Sequence, residues 1–179
     1  MSRLPAIARE QLGLEDRPAW DRIMAGRSGG GGPYGILAYV PAMAERLSAV
    51  ESYFRDGGTL AAPDKELIIL ATARELGARF PWSRHEIRAR EVGVRSEAIE
   101  TLRAEESLNA LTPHERLLVE VVRSLLRERS LSDDLFLSAQ AELGNQRLVE
   151  IVGLVSHYNM ISSVANTFDL GVPADTVTF

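Results

Sequence analysis

Leu60-Ala-Ala-Pro-Asp-Lys-Glu-Leu-Ile-Ile-Leu-Ala-Thr-Ala-Arg-Glu-Leu-Gly77, continued by Ala78-Arg-Phe-Pro-Trp-Ser-Arg-His-Glu-Ile-Arg-Ala-Arg-Glu-Val-Gly93, decides the fold. It reads as two helices with a short break between them. Pro63 stands where a first helical residue belongs, because its missing N–H costs nothing there. Gly77 falls just past the last periodic residue, the usual place of a left-handed C-cap. Pro81 opens the second helix in this reading, and Gly93 closes it.

The first helix is apolar almost all round, through Leu67, Ile68, Ile69, Leu70, Ala71, Ala73 and Leu76. Such a helix is buried. At about 100° per residue, Asp64, Lys65, Thr72 and Glu75 gather on one side and Glu66 falls on the other, in line with Leu70, Ala73 and Gly77. A carboxylate placed there faces the interior, where it needs a partner. In the second helix His85 shares a face with Trp82, Ala89 and Val92, while Arg84, Glu86, Arg88, Arg90 and Glu91 point elsewhere. Two antiparallel helices joined by a tight turn bring Glu66 and His85 together. Two readings of that pair stay open on patterning alone. One is a functional acid/base couple. The other is a satisfied core histidine beside a glutamate that favours the helix dipole.

Outward from this pair the chain keeps the same character. At 179 residues one domain is expected. Residues 1–32 read as an N-terminal extension. Within it, Leu4, Ile7, Ala8 and Leu12 make one amphipathic set and Trp20, Ile23 and Met24 a second. Ser28 to Pro33 carries four glycines in a row and reads as a mobile connection able to gate a site. No Gly-Lys-Ser/Thr follows it, as a phosphate loop would require. Pro41 to Phe54 is a helix with Met43, Leu47, Val50 and Phe54 as its core side. Ser96 caps a short helix bearing Ile99 and Leu102. Thr112-Pro113-His114-Glu115 is a capping box that opens a helix running to about Arg129, with a solvated His114 in its first turn. Ser132 caps the next helix, which Gly144 stops. A last helix runs over about 146–169, ended by Gly171 and Pro173. Its His157-Tyr158-Asn159 needs partners, in an internal network or a pocket wall. No strand is expected. The fold class is all-α, with about seven or eight helices.

Several function classes are disfavoured by composition. A net charge of −5 offers no electrostatic footing for nucleic acid. The absence of cysteine removes disulfides, thiolate catalysis and Cys-based zinc sites. Its three histidines lack the helical His-x-x-x-His pairing of zinc hydrolases, and no Gly-x-Ser-x-Gly elbow occurs. No metal and no cofactor are therefore expected. The start, Met1-Ser2-Arg3-Leu4-Pro5, has no apolar signal core. The longest uncharged run, Ile151 to Phe168, holds too many polar groups for a lipid span. A cytoplasmic protein without membrane contact is the expectation.

The ordered series Lys65-Glu66-Leu67-Ile68-Ile69-Leu70, Ala73-Arg74-Glu75-Leu76-Gly77-Ala78, Trp82-Ser83-Arg84-His85 and Ala89-Arg90-Glu91-Val92-Gly93-Val94 resembles the carboxymuconolactone decarboxylase family, which includes the alkylhydroperoxidase D-like proteins. Gly32-Pro33-Tyr34, Pro41 and Tyr158-Asn159-Met160 resemble family positions too, so a family core over 33–171 is implied. In the peroxidase members a glutamate lies nineteen positions before a histidine, with a Cys-x-x-Cys between them. Those positions fall here on Glu66, His85, Ala78 and Pro81. In the decarboxylases a glutamate lies four before the histidine, and Pro81 holds that place. The acid and the histidine are kept while both thiols are absent.

The resemblance implies an alkylhydroperoxidase D-like helical bundle that forms a dimer, trimer or hexamer, with a small-molecule substrate near an interface. Catalysis would fall to Glu66 and His85. Tyr34, Trp82, Tyr158 and an arginine, Arg74 with Arg84 as the alternative, would bind the substrate. In a decarboxylase of this type, loss of CO₂ leaves a carbanion or enolate that His85 protonates while Glu66 orients it. An acid/base lyase on a small organic acid or lactone is the first expectation. A non-catalytic binding or assembly protein is the second. A hydroperoxide reductase is the third, lacking the sulfur it needs.

Overall fold

The computed structural model describes residues 2–25, 27 and 31–179. Eight α-helices follow one another, with no strand among the described residues: α1 Arg17–Met24, α2 Pro33–Leu37, α3 Pro41–Asp56, α4 Ala62–Glu75, α5 Arg79–Glu91, α6 Ser96–Ala104, α7 Pro113–Arg127 and α8 Asp133–Thr167. Short 3₁₀ turns lie at Arg9–Gln11 and Leu108–Ala110. The all-α expectation holds. The chain packs as two compact units, Met1–Gly58 with Ser163–Gly171, and Thr59–Ser162 with Val172–Phe179.

In the second unit α4 is central and packs on α5, α6 and α7. Leu67, Ile68, Ile69 and Leu70, four residues in a row, are each 2% exposed or less. A helix buried on every side loses its water contacts all round, at about 1.5–3 kcal/mol of stabilisation per large side chain. Thr72 was expected on the polar side but is fully buried. Its hydroxyl donates to the Ile68 carbonyl at 2.8 Å, which lets it sit inside.

The two glycine stops are Schellman turns. Gly77 has φ +59°, and the Ala78 N–H reaches the Ala73 carbonyl at 2.8 Å. Gly93 has φ +86°, and the Val94 N–H reaches the Ala89 carbonyl at 2.8 Å. The helix starts differ from expectation. Pro63 is the second residue of α4, and α5 opens at Arg79, two residues before Pro81. Pro81 still lies among the first N–H positions that have no intrahelical partner, so it costs no bond. Arg95, not Ser96, is the N-cap of α6. Its Ile99 and Leu102 are buried as expected.

Thr112 and Glu115 form the expected capping box, at 2.8 and 3.2 Å. The helix it opens stops at Arg127, and Arg129 takes φ +61°. Ser132 accepts from the Leu135 N–H at 3.3 Å. Gly144, at φ +75° and ψ +165°, breaks α8 internally where a stop was expected. By length and composition α8 is long and apolar enough to cross a bilayer, but its Ile151, Leu154 and Val155 are buried in protein.

In the first unit α1 and α2 pack on α3. Of the expected core side of α3, Phe54 is buried, but Met43 and Val50 are 44% and 45% exposed. The face that packs is Pro41, Ala44, Ser48 and Phe54. The first amphipathic set near the N-terminus is a 3₁₀ turn and extended chain, not a helix. The second set is α1, with Ile23 fully buried. Half of the glycine-rich connection, residues 28–30, lies outside the described residues. At the far end of α8, Asp169 takes the left-handed conformation before Gly171 is reached, and the Leu170 N–H bonds the Ala165 carbonyl at 2.9 Å.

Candidate functional site

Glu66 points inward from the first half of α4 and is 6% exposed. His85 points inward from α5 and is 7% exposed. The tight Gly77 turn folds α5 back on α4, and the two side chains meet: His85 Nδ1 lies 2.6 Å from Glu66 Oε2. A carboxylate only accepts hydrogen bonds, so an ionised Glu66 places the proton on Nδ1. In the neutral ring this leaves Nε2 as an acceptor. Tyr158, on α8 and 7% exposed, places its hydroxyl 3.0 Å from that nitrogen. The two rings meet edge to face, with centroids 5.1 Å apart. His157 packs edge to face on Tyr158 as well, at 5.6 Å. Three helices thus supply a buried chain of hydrogen bonds, Glu66 to His85 to Tyr158.

Trp82, Arg74 and Tyr34, the other expected substrate-binding residues, each have contacts of their own. Trp82 is fully buried one turn before His85, and its indole N–H has no hydrogen-bond partner among the described residues. Its ring meets Phe179 edge to face at 5.2 Å. Arg74 lies over the same Phe179 ring at 4.3 Å, pairs with Glu105 at 3.2 Å and donates to the Arg103 carbonyl at 3.2 Å. The pair is thus linked through Phe179. Tyr34 belongs to the first unit. The Arg27 guanidinium stacks 4.0 Å from its ring centroid and pairs with Glu51 at 2.8 Å. Burial, and then the Glu51 charge, push the Tyr34 phenol well above its ordinary pKa.

Two expectations about charged groups are corrected. Glu86, expected to face away from the packed side of its helix, is 4% exposed and pairs with Arg90 at 2.5 Å. His114, expected to be solvated, bridges two carboxylates. Its Nδ1 lies 2.5 Å from Glu142 Oε1 and its Nε2 lies 3.0 Å from Asp64 Oδ1. Burial of this ring acts to lower its pKa. The hydrogen bonds and charges of Glu142 and Asp64 outweigh that and raise it.

Sequence reasoning left Tyr158 between an internal hydrogen-bond network and a pocket wall, and did not name His85 as its partner. The signal available was a polar triplet in an apolar helix. Nothing local could identify a partner 73 residues away.

Residues 41–124 match the model of the carboxymuconolactone decarboxylase family. No curated protein matches the chain significantly. Among solved structures, the chain is similar to an alkylhydroperoxidase AhpD core, an uncharacterised peroxidase-related protein from Ralstonia eutropha. Identity is 16%, coverage is 97% of this chain and 93% of that one, and the TM-score is 0.78. A protein of unknown function from Agrobacterium tumefaciens, for which AhpD-type antioxidant defence is suggested, is 24% identical. That match covers 78% of this chain and 97% of the other, with a TM-score of 0.68. An uncharacterised peroxidase-related protein from Silicibacter sp. is 11% identical over 96% of this chain and 93% of its own, with a TM-score of 0.74. At these identities the likeness is one of fold. The chain thus matches the carboxymuconolactone decarboxylase family model over residues 41–124 and shares the helical fold of the alkylhydroperoxidase AhpD-core structure.

Proposed function

We propose that this protein is an acid/base lyase of decarboxylase type acting on a small organic acid or lactone. The observation that carries the reading is the 2.6 Å contact between Glu66 and His85, two ionisable groups held together in the interior of an apolar helix pair. Buried titratable pairs are expensive to keep, and they concentrate at functional sites. In the reaction, the bond between the substrate's carboxyl carbon and its neighbour breaks. Its electron pair passes to an adjacent carbonyl as an enolate, and CO₂ leaves. A proton then returns to carbon, and the Glu66–His85 couple supplies it. Glu66 holds the imidazole in one orientation and stabilises its charged form during transfer.

The descriptions of the structural relatives favour a second reading, peroxide reduction. The thiol route to it needs a sulfur that this chain does not contain, since it has no cysteine. Hydroperoxide offered with a dithiol reductant should therefore not be consumed.

The test is CO₂ release from carboxymuconolactone and from a panel of β-keto acids, by wild type, His85→Gln and Glu66→Gln. Wild type should turn over at least one of them, and His85→Gln should lose about 100-fold or more. A wild type no faster than the uncatalysed reaction throughout would sink the lyase reading. Full turnover in both variants would do the same.

A further inference from the structure

The segment Val172–Phe179 belongs to the second unit and contains no helix. Among the described residues no hydrogen bond or ion pair joins it to a helix. Its one such bond is internal, from the Thr176 hydroxyl to the Pro173 carbonyl at 2.7 Å. Val172 and Val177 are 37% and 49% exposed. Phe179 is the aromatic anchor. Its ring meets Trp82 edge to face at 5.2 Å and lies under the Arg74 guanidinium at 4.3 Å. A segment with so few polar ties opens far more readily than the helices beneath it unfold.

The closed arrangement leaves two donors unused on the residues that hold this ring. The Trp82 indole N–H is buried without an acceptor among the described residues, although a buried indole usually finds one. Arg74 offers five N–H donors. Its bonds to the Arg103 carbonyl and to Glu105 engage Nε and Nη2, which leaves Nη1. We infer that Val172–Phe179 is a detachable strap, whose Phe179 ring holds in this closed state the place of a flat, ring-shaped carboxylate ligand between Arg74 and Trp82. The space required is the one the phenyl ring already fills. A ligand ring takes over its edge-to-face contact with Trp82 and its place under the guanidinium. The carboxylate adds what the phenyl ring lacks, an acceptor for the unused donors. A ligand so placed lies one helical turn from His85, because Trp82 and His85 are three residues apart on α5. Strap and ligand compete for one place. The apparent Kd is therefore the intrinsic Kd divided by the fraction of molecules with the strap open.

In a purely structural reading Phe179 is one more packed side chain, and its loss only loosens the fold. The two readings differ in their response to a ligand. The chain has two tryptophans, so Trp20→Phe leaves Trp82 as the sole indole reporter. In that background, acrylamide quenching of Trp82 fluorescence is measured with and without Phe179→Ala. Benzoate is titrated into the same full-length proteins by calorimetry, with benzamide as its uncharged counterpart.

Phe179→Ala should raise the quenching constant about threefold or more and tighten benzoate about tenfold or more. Saturating benzoate should shield Trp82 again. Arg74→Gln, added to Phe179→Ala, should weaken benzoate about tenfold and leave benzamide unchanged. A Trp82 as shielded as before, a benzoate affinity no tighter, or equal losses for benzoate and benzamide overturns the inference. The unsubstituted strap supplies a check that does not depend on how Phe179→Ala folds. Excess benzoate should move the Phe179 ring signals in the NMR spectrum, assigned by their loss in Phe179→Leu, to the positions of free phenylalanine. Signals that stay in place overturn the inference as well. Binding is read here without turnover, so the lyase reading is tested separately. If the strap behaves as expected and no substrate releases CO₂, the strap stands and the lyase reading fails. If CO₂ is released but Phe179→Ala leaves benzoate affinity unchanged, the strap fails and the lyase reading stands.

Discussion

At the scale of single residues, the second unit contains two histidines bonded to carboxylates, and they differ in exposure. The His85 side chain is 9% exposed, against 40% for that of His114. The first belongs to a closed chain of hydrogen bonds, and the second is a clamp between Asp64 on α4 and Glu142 on α8. The clamp makes a prediction with a definite sign. The His114 pKa is raised in the folded state above the ordinary imidazole value of 6.5. Its contribution to stability is therefore fully present below that value and is lost as pH rises through the folded pKa. Solvent around the half-exposed ring keeps the effect small. The stability difference between wild type and His114→Gln, measured by urea unfolding from about pH 5.5 to 8.5, should shrink steadily with rising pH. A difference that is constant, or that grows, would show that the clamp does not hold a charged imidazole.

At the scale of elements, glycine does the punctuation, and one position requires it most. Gly144 combines φ +75° with ψ +165°, a backbone region that side chains resist, and it lies inside α8. A Cβ added there would meet nothing within 4 Å, so the demand comes from the backbone itself. Gly144→Ala should cost about 1–3 kcal/mol in urea unfolding. Gly171→Ala, equally open but without a positive φ, should change stability by less than about 0.5 kcal/mol. Equal effects at the two positions would mean that the break in α8 does not depend on glycine. The break matters for the site because Tyr158 lies on the segment that follows it. Elements were the most legible level in the sequence. The Thr112 capping box and the Gly77 and Gly93 stops stand where their residues indicated, because caps are satisfied by atoms within a few residues. Helix starts were less legible. Proline is tolerated anywhere in the first turn, so Pro63 and Pro81 marked the starts of α4 and α5 only to within two residues.

At the scale of the molecule, the apolar surface left open on α3 is the informative feature. Val40, Met43, Val50 and Tyr53 are 52%, 44%, 45% and 48% exposed. The periodicity that marked Met43 and Val50 as core is real, but among the described residues no element covers them. We propose that a second copy does so, in keeping with the homo-oligomer that the family resemblance implies. Sedimentation at about 10–50 μM should show a species larger than the monomer, with Val50→Glu shifting it toward the monomer. A wild type that is monomeric over this range removes the proposal.

The sequence by itself determined that the chain is helical, where most helices stop, and that Glu66 and His85 face the interior from two helices joined by a tight turn. These are consequences of period, capping and short loops, all carried by residues near one another in the chain. Only the tertiary structure decided that Thr72 and Glu86 are buried, that His114 bridges Asp64 and Glu142, and that Phe179 covers Arg74 and Trp82. Above all it decided that Tyr158 closes on His85 from 73 residues away. A hydrophobic pattern says which face of a helix turns inward. Which side chain meets it there depends on packing between distant segments, and no local pattern records that.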